Sequence, residues 1–224
     1  MPNAQTIKSM FNNISVHYDL LNDILSLGIH RLWKKALVKE MTKNSPQKIL
    51  DCATGTGDIA IMMKHHGPNS QILGTDFSAN MLSVAKKKTN EITWEVQDVM
   101  NLPYADDQFD CSSISYGIRN VEDYHLALKE MARVTSTKIC ILEFGQPQNP
   151  LFKFVYFTVM KGLMPIIGKL FNKQQAYKYL IESSMNFPSQ QEFCDVIKAS
   201  TGFDKVTYQP FFGGVTYLYI ASNN

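Results

Sequence analysis

Ile49-Leu50-Asp51-Cys52-Ala53-Thr54-Gly55-Thr56-Gly57-Asp58-Ile59-Ala60 is a short apolar run that ends on a carboxylate, breaks into a glycine turn and resumes as a helical pattern. Ile49 and Leu50 suit a buried strand, Gly55 and Gly57 permit backbone angles that a side chain would forbid, and Asp58 opens the helix. The stretch reads as strand, tight loop, helix. Such a loop lets the backbone and the helix N-terminus approach a nucleotide-like ligand closely, and Thr56 sits within it.

Gly55-x-Gly57-x-x-Ala60 alone also fits a dinucleotide fingerprint. Neighbouring carboxylates separate the two readings. Asp51, at the end of the strand, would repel a pyrophosphate but suits the ammonium and sulfonium of S-adenosylmethionine. Asp76 follows 25 residues later, after Ile72-Leu73-Gly74-Thr75, where a second strand ends and Phe77 comes next. A carboxylate there accepts hydrogen bonds from both ribose hydroxyls. The competing role, capping the next helix, falls more naturally to Ser78.

The chain has 224 residues, enough for one well-cored α/β domain and short for two. With 45% apolar and 19% charged residues and a net charge of +2, it reads as globular and lacks the strongly basic balance of a nucleic-acid binder. Cys52, Cys111, Cys140 and Cys194 form no C-x-x-C pair and are expected to be reduced core thiols of a cytosolic protein. Met1-Pro2-Asn3-Ala4-Gln5 does not read as a secretory signal, no run reaches the about eighteen uncharged residues of a spanning helix, and the histidines lack metal-ligand spacing.

Ile7, Met10, Phe11, Ile14 and Tyr18 recur at helical spacing, so an amphipathic helix is expected over residues 1–18, within a helical cap over 1–44. Within it Tyr18 to Trp33 mixes polar and large apolar groups. This is either a helical elbow, with Tyr18 and Trp33 in the core and His30 as a cap, or a cover that lends Tyr18 and His30 to the site. A helix from Leu32 to Met41 precedes the opening stretch. Strands are then expected at Gln71–Thr75, near Thr93–Gln97, at Cys111–Tyr116 and at Lys138–Phe144, with helices between them and the period of Val121, Tyr124, Leu128 and Met131 marking one of these. Asp98, with Val99, ends the third strand, either as an acceptor for an adenine amino group or as an ordinary turn Asp.

Ser189 is expected to cap a helix stopped by Thr201-Gly202-Phe203. Lys205–Gln209 and Val215–Ile220 lie only a few residues apart, which favours an antiparallel edge hairpin over a further helix-linked strand. Residues 150–185 form a helical insertion richer in Phe, Met and Ile than a connection needs, with Pro165 expected to break any helix there. It is either ordinary core or a greasy surface for a lipophilic substrate, with Gln174, Tyr177, Tyr179 and Glu182 facing the reacting head group.

Three stretches resemble the ubiquinone/menaquinone biosynthesis C-methyltransferases. They are Tyr18-Asp19 to His30-Arg31-Leu32-Trp33; Phe109-Asp110 with Ser115-Tyr116-Gly117-Ile118-Arg119-Asn120-Val121 and Met131-Ala132-Arg133-Val134; and the Leu50 to Asp58 loop, with Ala53 where the wider superfamily usually has glycine. Thr135-Ser136-Thr137 replaces the family's Pro-Gly-Gly turn, and Asp98-Val99 its frequent Asn-Ala. The likeness implies a class I S-adenosylmethionine-dependent methyltransferase fold: a seven-stranded, mostly parallel sheet in one domain over 1–224. It implies cofactor contacts near Thr56, Asp76, Asp98-Val99 and Ser115, and Arg119 at the reacting ring. The expected reaction is C-methylation of a polyprenyl quinol, demethylmenaquinol foremost, with a ubiquinone-pathway benzoquinol as the rival acceptor. A NAD-dependent reductase and a non-catalytic scaffold of a quinone-synthesis complex are the competing readings. Arg119 would stabilise a phenolate, with His30 and Tyr18 suited to proton transfer. The expected setting is cytoplasmic, peripheral at the inner membrane face, with a homo-oligomer left open.

Overall fold

The computed structural model describes residues 28–170 and 174–223, with side chains at all of these except 163–170, 174–178 and 180. The expected helix over residues 1–18, Tyr18 included, lies outside them.

The described elements run α1 (His30–Met41), β1 (Lys48–Cys52), α2 (Asp58–His66), β2 (Gln71–Asp76), α3 (Ala79–Lys88), β3 (Thr93–Val96), β4 (Phe109–Ser115), a 3₁₀ turn (Ile118–Asn120), α4 (Tyr124–Arg133), β5 (Thr135–Phe144), α5 (Pro150–Leu170), α6 (Gln174–Asn186), α7 (Gln191–Thr201), β6 (Lys205–Phe211) and β7 (Thr216–Ser222). The seven strands form one sheet in the order β3-β2-β1-β4-β5-β7-β6. β1 pairs in parallel with both β2 and β4, whereas β7 runs antiparallel to β5 and β6. This is the class I methyltransferase arrangement, with the hairpin at the edge as expected.

Burial on both faces explains the apolar strands. Ile49 joins Trp33, Leu37, Met41, Met63 and Leu82 on one face, and the next residue, Leu50, joins Ile114, Leu128, Met131, Phe193 and Ile197 on the other. α1, α2 and α3 therefore cover one side, α4 and α7 the other. Ser78 caps α3 by accepting the Met81 N–H at 3.2 Å, and Gly202 ends α7 at φ +73°. Cys52, Cys111, Cys140 and Cys194 are all free and buried.

Two local expectations need correction. α5 continues through Pro165 to Leu170. A proline forfeits one amide bond and crowds the preceding turn, a cost of about 3 kcal/mol that tertiary packing can exceed; here α5 packs along α6. The N-cap of α7 is Gln190 rather than Ser189, and no side chain caps it. The Gln190 N–H instead donates to the Tyr219 hydroxyl at 2.9 Å, which ties the helix start to the edge hairpin.

Candidate active site

Strand order reverses between β1 and β4, and ligands of open α/β sheets bind in the crevice beyond the strand ends at such a point. The loops after β1 and β4 meet there. Ala53 has φ +48° and Tyr116 φ +54°, both in the left-handed region. A Cβ on Gly117 would stand 2.8 Å from the Ala53 Cβ, so the loops touch only because that residue is glycine. Ala53 thus takes the backbone shape of the superfamily's usual glycine while keeping a methyl in the pocket wall.

The two loop glycines do different work. A Cβ on Gly57 (φ +85°) would fall 2.6 Å from the Trp94 ring, so this glycine serves packing. Gly55 (φ +58°) has nothing within 4 Å of such a Cβ and lines the pocket. Its N–H donates to Asp76 Oδ2 at 2.9 Å, while Asp76 Oδ1 accepts the Ser78 N–H at 2.8 Å. Burial pushes the Asp76 carboxyl above its ordinary range, and these two amides pull it partly back.

The pocket is lined by Ala53, Gly55, Asp76, Phe77, Met81, Gln97, Asp98, Val99, Met100, Ser115, Tyr116, Gly117, Asn120, Val121 and Glu122. Asp98 lies two residues past β3 and accepts the Met100 N–H at 2.9 Å, so the turn role and the pocket position coincide. Of the expected cofactor residues, Gly55, Asp76, Phe77, Asp98, Val99 and Ser115 are in the wall; Asp51, Thr56 and Gly57 stand behind it. Asp51 is 1% exposed and accepts the Ser113 and Thr54 hydroxyls, each at 2.6 Å. Burial lifts its pKa to about 6, against the lowering by both hydroxyls.

Arg119, expected at the reacting ring, is not among the residues of the pocket wall and is held by partners of its own. Its Nη1 donates to Glu143 Oε1 and to the Tyr116 carbonyl at 2.9 Å, its Nε reaches Ser183 Oγ at 3.4 Å, and its guanidinium lies 5.2 Å from the centre of the Phe144 ring. Glu143 on β5 is fully buried, and burial raises its carboxyl against the pull of Arg119. That partner explains the placement: a cation in this interior needs a carboxylate more than a pocket. His30 is the first residue of α1, buried, not in the pocket wall and not a cap.

Sequence reasoning missed Tyr116, Gly117 and Asn120 as wall residues, although it singled out the run that contains them. The signal for them was that run's own place at and just after the end of the strand expected at Cys111–Tyr116, where ligands of such sheets bind.

The wall fits S-adenosylmethionine. Among the described residues three carboxylates, Asp76, Asp98 and Glu122, face the pocket and neither lysine nor arginine does, which suits a cation and opposes a pyrophosphate. The Ser115 hydroxyl is buried without a hydrogen-bonding partner, a donor and acceptor left for a ligand. Phe77, Val99 and Met81 offer apolar surface for a planar base.

The model of the ubiE/COQ5 methyltransferase family matches residues 1–223. The chain belongs to that family. A ubiquinone/menaquinone biosynthesis C-methyltransferase UbiE of Bdellovibrio bacteriovorus is 45% identical over 97% of this chain and 96% of its own length. A demethylmenaquinone methyltransferase of Staphylococcus aureus is 40% identical over 97% and 93%. Among solved structures, a SAM-dependent methyltransferase from Thermotoga maritima superposes with TM-score 0.65 at 16% identity, covering 97% of this chain and all of that one. Magnesium protoporphyrin IX methyltransferase from Synechocystis, solved with bound SAM, gives TM-score 0.58 at 13% identity over 87% of this chain and 80% of its own. As a member of the ubiE/COQ5 family the chain is a methyltransferase, and the reductase reading falls with the acidic pocket wall.

Proposed function

We propose that the chain catalyses S-adenosylmethionine-dependent C-methylation of a polyprenyl quinol ring, converting demethylmenaquinol to menaquinol. The observation that carries the cofactor is the acidic wall with its unpartnered Ser115 hydroxyl; the ring chemistry follows from family membership and from the names of both relatives. S-adenosylmethionine supplies a methyl group on a positively charged sulfur.

The chain's residues do the rest. Asp76 holds the ribose hydroxyls and Asp98 an adenine amino group. Ala53, Gly55 and Gly117 bring backbone close to the ligand. Asn120, Val121 and Glu122 form the wall on which the acceptor ring lies. Arg119 acts from behind that wall, its charge matched by Glu143; Tyr18 suits proton transfer by residue type, whereas His30, buried outside the wall, is given no proton to move. An aromatic carbon attacks a sulfonium methyl well only in the electron-rich quinol, best as its phenolate, so holding the reactants in line and excluding water supply the rate enhancement.

Access of a prenylated ring is assigned to α5. Leu151, Phe154, Val155 and Val159 fall at i, i+3, i+4 and i+8 and are exposed on one stripe, with Leu151 73% and Phe154 71% exposed; the exposed Phe212 packs on Phe152 of the same helix. The helix carries Lys153, Lys161 and Lys169 and no acidic residue. A basic, apolar-faced helix suits an anionic lipid surface. No helix among the described residues is long and apolar enough to cross a membrane.

The test is incubation of purified protein with labelled S-adenosylmethionine and naphthoquinol or benzoquinol analogues, with and without reductant. Label in the reduced naphthoquinol ring is expected. Equal labelling of oxidised and reduced rings would refute the mechanism, and preference for the benzoquinol would move the substrate to the other branch.

A further inference from the structure

The wall residue Asn120 carries a carboxamide, two N–H donors and one oxygen, and its bonds fix which way it faces. Its Nδ2 donates to the Tyr116 carbonyl at 3.1 Å, so the nitrogen must lie on that side. Its Oδ1 accepts the Tyr179 hydroxyl at 3.0 Å. Tyr179 stands on α6, 59 residues away in sequence and within the insertion. One amide N–H of Asn120 is left over in the wall, alongside the Ser115 hydroxyl and the carboxylates.

From this geometry we propose that Tyr179 is a positioning residue for the methyl acceptor: it holds Asn120 so that the remaining amide N–H donates to the ring oxygen of the quinol. The proposal rests on the quinol reading above and extends it to a residue outside the pocket. A donor to that oxygen gains strength as the oxygen becomes a phenolate, so the bond favours the reacting form over the resting one. The Tyr116 carbonyl, shared by Asn120 Nδ2 and Arg119 Nη1, links the same wall to the buried Glu143. An insertion that carries the tail thereby helps aim the group that meets the head.

Tyr179→Phe deletes the hydroxyl and keeps the ring. On a soluble, short-tailed reduced naphthoquinol its kcat should fall about three- to ten-fold, the size of one neutral hydrogen bond, with KM for S-adenosylmethionine and the thermal midpoint unchanged. In an Asn120→Ser background, checked for folding by the same midpoint, adding Tyr179→Phe should have no further effect on kcat. A parental kcat in Tyr179→Phe, or the same loss in both backgrounds, overturns the proposal. A parent protein that methylates neither ring type overturns the quinol reading and the proposal with it.

Discussion

Asp76 already satisfies two backbone amides, Gly55 N–H and Ser78 N–H, before any ligand arrives. Its substitution by Ala should weaken S-adenosylmethionine binding roughly ten- to a hundred-fold by calorimetry, because each lost bond to a charged acceptor is worth about 1.5–3 kcal/mol. Unchanged affinity would remove it from the site. Asp51 makes a different prediction. Its folded pKa of about 6 lies above that of a free carboxylate, so the folded state binds the proton more tightly. The stabilisation is present below the unfolded pKa and is lost as pH rises through about 6. The stability of Asp51→Asn relative to the parent should therefore move in the variant's favour, by on the order of 3 kcal/mol, between about pH 4 and pH 7. A gap that stays constant with pH would show that folding leaves this carboxylate unperturbed.

The β1–α2 loop divides fold from function between neighbouring glycines. Gly57→Ala must adopt a left-handed angle and press on Trp94, costs of about 1–2 and about 1–3 kcal/mol, so urea denaturation should show a large loss of stability. Gly55→Ala pays only the first cost and intrudes on the pocket, so it should stay folded and lose cofactor affinity. The reverse ranking would show the loop misassigned. This loop was legible in the sequence because strand, turn and helix signals are local and consecutive. The placement of Arg119 was not: its partner Glu143 sits 24 residues away and meets it only through the pairing of β4 with β5. The path of α5 through Pro165 was hidden for a related reason, since a local rule was outweighed by contacts with α6 that no window of sequence displays.

For the molecule as a whole, the apolar content of residues 150–185 was readable, but not which side of the helix was free. Phe157, one of the bulky residues in that excess, is buried, whereas Phe154 and Val159 are open to solvent. A Phe154→Asp/Val159→Asp double variant should therefore fold normally, lose flotation with anionic vesicles, and keep activity on a short-tailed quinol while losing it on a long-tailed one in bilayers. Equal loss on both substrates would assign the stripe to the protein's own packing.

The four buried thiols have a use unrelated to methyl transfer. Burial pushes Cys111 up to about 12 and Cys194 up to about 11, and raises Cys52 and Cys140 still further. None supplies appreciable thiolate to a reagent near neutral pH while its surroundings stay closed. Each is therefore a clock for the opening of its own neighbourhood, three in the middle of the sheet and one on α7. Pulsed alkylation followed by peptide mapping should see Cys194 modified before the three strand thiols, giving a map of local opening without any introduced label.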